Sequence, residues 1–175
     1  MPALHDGWMT TTTVFLVRHA KAADRTTWTG RDLDRPLVER GHKQAARLAR
    51  ALSLGPERPV LVAASPWRRC VETAEPIADA FRLAVAADDR LGYGGPDLAG
   101  FVREAAARAG EAPEGAAVAV SHGDLIPFYL LGAGLLRQVP DFRTGSLFRV
   151  EVEDGRPVAA TLVDRSELTA WPASH

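Results

Sequence analysis

Three short apolar runs each end on polar side chains capable of chemistry, and this pattern constrains the chain more than any other feature. Val14-Phe15-Leu16-Val17 runs straight into Arg18 and His19, and Val60-Leu61-Val62-Ala63-Ala64 into Ser65, with Arg68 and Arg69 just beyond. Ala116 to Val120 ends in Ser121 and His122. Continuous apolar runs of this length, rich in Val, read as strands buried on both faces. Such strands belong to a sheet covered by helices, and helical periodicity does separate them. Ala45, Leu48, Ala49 and Leu52 recur at helical spacing, with Arg47 and Arg50 on the other side, in a pattern that turns helical from Leu37 and stops at Gly55-Pro56. The alternation predicts an α/β fold, a three-layer α/β/α sandwich on a mostly parallel central sheet. In open sheets of this kind ligands bind at the carboxyl ends of the strands, where these polar groups stand.

The remaining segments complete the layers. Ser65-Pro66 predicts a helix with Ser65 as N-cap and Pro66 at the first helical position, running to about Phe81. Leu83 to Ala86 reads as a short strand, Asp88 to Pro96 as a Gly- and Asp-rich loop, and Leu98 to about Gly110 as an amphipathic helix. Ile126 to Leu136 reads as an apolar core helix, too short for a membrane span. Leu147–Val152 and Val158–Val163 flank Asp154-Gly155 as an antiparallel hairpin, which gives the sheet an antiparallel edge. Ala22 to Pro36 is a long polar loop, and loops of that length in compact domains tend to carry function. The expected organisation is a flexible leader over 1–13, one domain over 14–165 and a tail over 166–175.

Composition narrows the function classes. The 175 residues carry a formal net charge of −1, so no overall field draws a nucleic acid polymer or an acidic membrane, and any anion site is local. Cys70 is the single cysteine, which excludes an internal disulfide framework and fits a reducing compartment; the cytoplasm is the default location. No apolar run approaches the roughly 18 residues of a membrane span.

If the three strands lie side by side and parallel, Arg18, His19, Ser65, Arg69 and His122 meet at one edge. Two imidazoles and two guanidiniums in one pocket repel one another unless an anion sits between them. A phosphoryl group meets that need, because arginine offers forked donors matched to its oxygens. A neutral imidazole can then attack phosphorus, while the arginines and a second, protonated imidazole stabilise the equatorial oxygens. Phosphoryl transfer rests largely on positioning and electrostatics, so neither a metal nor another cofactor is expected. Two other classes stay open: a module that binds phosphorylated partners without turnover, and a metal-dependent hydrolase built on His19 and His122. The latter lacks metal-ligand spacing and places arginines where a cation would sit.

These residues carry a family resemblance. Leu16-Val17-Arg18-His19-Ala20-Lys21-Ala22 resembles the Arg-His signature of the histidine phosphatase (phosphoglycerate mutase-like) superfamily. Arg69-Cys70-Val71-Glu72-Thr73-Ala74 resembles its second motif, and Ser121-His122-Gly123 the motif of its second histidine. Asp34-Arg35-Pro36-Leu37, with Arg40-Gly41 and Gln44-Ala45, is similar to the short, SixA-type branch. The resemblance covers about Val14 to Val163 and is closest to the phosphatase domain that some proteins carry fused after a Nudix hydrolase domain; here it would stand alone. It implies the histidine phosphatase fold, His19 as nucleophile, and phosphate binding by Arg18, Arg69 and His122. It implies a phosphatase acting on a phosphomonoester, phosphoramidate or phosphoanhydride, with protein phosphohistidine or a nucleotide among the candidates. Ala20 stands where many members have glycine. Gly92 and Tyr93 occupy the region where larger members place a glutamate acid, as in the SixA type, so the proton donor is open among Asp88, Asp89 and Asp124.

Other residues have plainer readings. Lys21, Arg25 and Arg68 are candidate substrate contacts, Arg68 with a salt-bridge alternative, and Trp67 either stacks on a substrate or shields the pocket. Asp32-Leu33-Asp34 superficially resembles the paired aspartates of haloacid-dehalogenase phosphatases but lacks a preceding apolar strand. Cys70 has Pro76 where a cysteine phosphatase needs its arginine, so it reads as core. His42 belongs to a solvated helix face, and Arg143 to Ser146 to a turn.

Overall fold

A computed structural model of the protein describes residues 10–170. The expected leader and tail lie outside the described residues over 1–9 and 171–175. Six strands form one sheet: β1 (Thr12–Arg18), β2 (Arg58–Ala64), β3 (Val85–Ala87), β4 (Gly115–Ser121), β5 (Leu147–Glu153) and β6 (Arg156–Val163). Their order is β3-β2-β4-β1-β5-β6. The first four run parallel, β5 runs antiparallel to β1, and β6 antiparallel to β5. The helices are α1 (Glu39–Leu54), α2 (Arg68–Ala80), α3 (Leu98–Ala109) and α4 (Leu125–Gly132).

The period-2 alternation of a strand divides the core between two faces. Phe15 and Val17 face α1 and α2, with Leu48, Leu52, Ile77, Val118 and Val120 in one apolar cluster. Val14 and Leu16 face α3 and α4, with Phe101, Val102, Ile126, Leu130 and Phe148 in a second. Helices on both sides of a mostly parallel sheet give the three-layer sandwich the sequence predicts.

Several boundaries differ from expectation, the short strand expected over Leu83 to Ala86 lying at Val85–Ala87 among them. The first strand begins at Thr12, because Thr12 and Thr13 pair with Val152 and Glu151 of β5, so these two residues belong to the sheet and not to a leader. Leu168, placed in the expected tail, is buried against the first cluster. Helix α4 stops at Gly132, well short of Leu136. Gly134 at φ 75° closes it, with the Leu135 N–H on the Leu130 carbonyl at 2.9 Å and the Gly134 N–H on that of Leu131 at 3.0 Å. This is a Schellman stop, signalled by Gly132-Ala133-Gly134. Helix α2 begins at Arg68 with Trp67 as N-cap, two residues later than Ser65-Pro66 predicts. The hairpin turns on Asp154 and Gly155, both at positive φ, as a two-residue connection requires. Among the described residues no helix is long and apolar enough to cross a membrane.

Register brings the polar ends together. Arg18 pairs with Ser121 across β1 and β4, and Ala64 with Val120 across β2 and β4. His19, His122 and Ser65 therefore leave the sheet as neighbours. The chain folds outward from β1 to β3 on one face and returns to β4 on the other. The strand order thus reverses beside β4, and a crevice opens at that reversal.

Candidate active site

Each element end is tied down by hydrogen bonds before the side chains are placed. The His19 N–H donates to the Ser121 carbonyl at 3.0 Å, and the Ala20 N–H to Thr73 Oγ1 at 2.9 Å. Thr73 in turn donates to the Arg69 carbonyl at 2.6 Å, joining β1 to the first turns of α2. The Lys21 N–H donates to Gln44 Oε1 at 2.9 Å, and the Lys21 carbonyl accepts from Val38. A Cβ on Gly41 would lie 2.1 Å from that carbonyl oxygen, so only glycine lets α1 pass this close.

His19 is 9% exposed. Its Nδ1 lies 2.8 Å from the Ala20 carbonyl, an acceptor, so Nδ1 carries the proton and Nε2 the free lone pair. Arg69 Nε donates to that Nε2 at 3.3 Å. Burial, together with Arg69, His122 and Arg18, lowers the His19 pKa to about 3 against the bond to Ala20, so the ring is neutral at physiological pH. His122 is 1% exposed, and its ring centroid lies 5.6 Å from that of His19. Its Nε2 shares a hydrogen bond with Ser65 Oγ at 3.0 Å. Ser65 thus serves the histidine and leaves the helix cap to Trp67. Burial, then Arg69, pushes His122 down to about 4. The second imidazole is therefore neutral too, which corrects the expectation of a protonated one: it offers an N–H and not a full charge.

The guanidiniums are held as firmly. Arg69 is 2% exposed, stacks 4.6 Å over the Trp67 ring, and donates from Nη1 to the Asp32 carbonyl at 2.9 Å. Arg18 donates from Nη1 to the Phe142 carbonyl, while its Nε is buried with no partner. A Cβ on Gly123 would lie 2.5 Å from that Nε, so the His122-Gly123 turn packs directly on the guanidinium. His122 Nδ1 is also buried without a partner. Burial lowers the pKa of both arginines.

The structure brings together four of the predicted site residues: Arg18, His19, Arg69 and His122. A cavity of about 400 Å³ opens over them, lined by Arg18, His19 and Arg69, with Lys21 and Arg25 farther out. Arg68 is not brought in; its Nε pairs with Glu72 at 2.6 Å on the exposed face of α2. Asp88 caps the 3-10 turn Asp89–Leu91 and pairs with Arg90 at 2.7 Å, outside the lining, and Asp89 is exposed. Asp124 does line the cavity. Cys70 is buried in the core beside His122, where burial pushes its thiol up to about 12. Among the described residues no three His, Cys, Asp or Glu side chains converge as metal ligands.

Two residues escaped the sequence reading. Asp32 accepts from Arg35 at 2.7 Å and Arg25 at 3.0 Å and lies 3.5 Å from Arg69 Nη2. Burial opposes its charge, but the hydrogen bonds from Arg35 and Arg25 outweigh it and bring the carboxyl to about 2. The length of its loop was the available signal. Tyr93, beside the missing glutamate, lines the cavity and packs 4.3 Å from the His122 ring centroid.

A mostly parallel α/β sheet whose strand ends present two neutral imidazoles and two buried arginines, with unpartnered donors among them, makes a site suited to an oxyanion such as a phosphoryl group. Comparison with known proteins agrees. The model of the histidine phosphatase superfamily (branch 1) matches residues 14–92 of this chain. The structure of the protein histidine phosphatase SixA complexed with tungstate superposes with a TM-score of 0.67 at 23% identity, covering 90% of this chain and 99% of that one. Phosphoglycerate mutase from Bacillus anthracis superposes with a TM-score of 0.69 at 17% identity, covering 92% and 96%. A segment of 94 residues, 48% of this chain, is 34% identical to the transcription factor tau 55 kDa subunit of Saccharomyces cerevisiae, of which it spans 21%.

Proposed function

We propose that this phosphatase works without a metal and hydrolyses a phosphomonoester, phosphoramidate or phosphoanhydride through a phosphohistidine on His19. The observation that carries this reading is the state of His19: Nδ1 is bound to the Ala20 carbonyl, Nε2 is unprotonated, and burial keeps the ring neutral. A neutral imidazole is a competent nucleophile. Its Nε2 attacks phosphorus as the bond to the leaving group breaks, and that group departs with the electron pair. Arg18 and Arg69 hold the equatorial oxygens. With the Ser65 hydroxyl donating to Nε2 of His122, the N–H at Nδ1 of that ring supplies a further donor. The buried, unpartnered Arg18 Nε and His122 Nδ1 support an oxyanion ligand, because such groups are costly to leave unpaired.

Water then attacks the phosphohistidine, releasing phosphate and free His19. Lys21 and Arg25 at the cavity mouth suit contacts to the rest of a phosphorylated small molecule or phosphoprotein. Gly92, where larger relatives carry an acid, favours leaving groups that depart without strong protonation, such as the imidazole of phosphohistidine or a nucleotide anhydride. The cytoplasm remains the proposed location.

The test is His19→Ala with an aryl phosphate substrate, in buffer with and without chelator. The expected result is loss of turnover in a variant that still folds, and wild-type activity that resists the chelator. Full activity in His19→Ala would remove the reading.

A further inference from the structure

We propose that Asp124, held by the hydroxyl of Tyr93, takes the proton from the water that cleaves phosphorylated His19. The inference rests on the phosphohistidine reading above and assigns a residue to its second step. Asp124 is the one carboxylate among the residues lining the cavity, and it follows directly on the His122-Gly123 turn. Its Oδ1 accepts from the Tyr93 hydroxyl at 2.7 Å and from the Leu125 N–H at 2.9 Å. These two donors fix the orientation of the carboxyl. Both fall on Oδ1, which leaves Oδ2 for water, and Asp124 is exposed at the cavity it lines.

Tyr93 is built as a fixed donor and not as an acid. Burial, and then Asp124, holds its phenol above the usual value, so it keeps its proton. Its ring packs against His122 at 4.3 Å and Trp67 at 5.0 Å between centroids. The clamp on Asp124 is thus anchored in the same aromatic group that fixes His122 and, through Trp67, Arg69. The charged and titratable groups facing Asp124 are Arg18 at the end of β1, Lys21, Arg25 and Arg35 from the loop that follows, and Arg69 of α2, beside the neutral rings of His19 and His122.

The step balances. A water oxygen forms a bond to phosphorus as the P–Nε2 bond breaks. The electron pair returns to Nε2 of His19, and one water proton passes to Oδ2 of Asp124. Hydrogen phosphate leaves, and Asp124 releases the proton to solvent on its exposed side. In this role the carboxyl accepts a proton in the second step and supplies none in the first. Asp124 therefore suits substrates whose leaving group departs unaided, and it leaves alkyl phosphates slow.

The experiment is rapid-mixing kinetics with p-nitrophenyl phosphate. In Asp124→Asn, which keeps the helix cap, a burst of about one nitrophenolate per enzyme is expected, then a steady rate about 100-fold or more below wild type. An acid-labile, alkali-stable phosphoryl label on His19 accumulates alongside. Tyr93→Phe lowers kcat about tenfold with KM nearly unchanged, because the carboxylate loses the hydroxyl that positions it. Asp124→Glu recovers part of the rate. Two outcomes overturn the assignment: Asp124→Asn turning over at the wild-type rate, or losing burst and steady rate together while the wild type still labels on His19. An active His19→Ala with no label in any variant removes the phosphohistidine reading itself, and this step with it.

Discussion

Nε of Arg69 stands 3.3 Å from Nε2 of His19, a guanidinium N–H donating to the lone pair that the Ala20 carbonyl leaves free. One arginine thereby orients the ring and waits at the place where phosphoryl oxygens would be held. Arg69→Ala removes both roles, and kcat is expected to fall about 100-fold or more. Arg69→Lys keeps the charge but cannot span His19 and the Asp32 carbonyl at once, and is expected to recover less than a tenth of the wild-type rate. Steady-state kinetics of the two variants checks both values.

The two histidines make the fold acid-sensitive. Their pKa values fall from 6.5 to about 3 for His19 and about 4 for His122. Between those values and 6.5 the unfolded chain binds more protons than the folded one, so stability is complete above pH 6.5 and lost as pH falls below it. The slope is at most about 1.4 kcal/mol per pH unit for each imidazole. Denaturant midpoints measured from pH 7 down to 4 should decline in the wild type and flatten in a His19→Gln/His122→Asn double variant. Inorganic phosphate should reduce the decline by binding the folded state.

Gly123 tests the arginine cradle without touching a charged group. Its backbone is not in the left-handed region, so alanine brings no strain of its own, but the new Cβ would sit 2.5 Å from Arg18 Nε. The guanidinium must move, and displacements near 1 Å at such a site cost about 100-fold. Gly123→Ala should therefore lose kcat/KM on that order while its thermal midpoint shifts by only a few degrees. A wild-type kcat/KM would show that Arg18 does not need its present place.

Strand ends were legible because burial on both faces leaves a continuous apolar run, and the polar residue that stops the run is visible beside it. Val17-Arg18-His19 and Val120-Ser121-His122 could be placed on the sheet edge for that reason. Partners brought by folding were not legible. Asp32 reaches Arg69 across 37 positions through a 3-10 turn, Asp32–Asp34, that has no apolar periodicity to announce it. Ser65 was misread for a related reason. Ser-Pro is a local capping signal, but the hydroxyl is taken by His122, 57 positions away, and the helix starts at Arg68 instead.

Asp32 is the position where charge and geometry pull apart, which makes it informative. Its carboxylate compensates Arg25, Arg35 and Arg69, while its backbone carbonyl alone holds Arg69 Nη1 at 2.9 Å. Asp32→Asn removes the charge and keeps the carbonyl. Arg69 then stays in place through that bond and the Trp67 ring, and the cavity becomes more positive. Inorganic phosphate should inhibit the variant more strongly than wild type. The gain should stay below about tenfold, because the carboxylate side chain is 30% exposed and its effect is partly screened. The difference should shrink at high salt, where charges at the cavity mouth are screened further. The two proteins should converge only as pH falls towards about 2, where the Asp32 carboxyl of the folded protein takes up its proton. Weaker phosphate inhibition in Asp32→Asn would mean that the carboxylate, and not the carbonyl and Trp67, sets the position of Arg69.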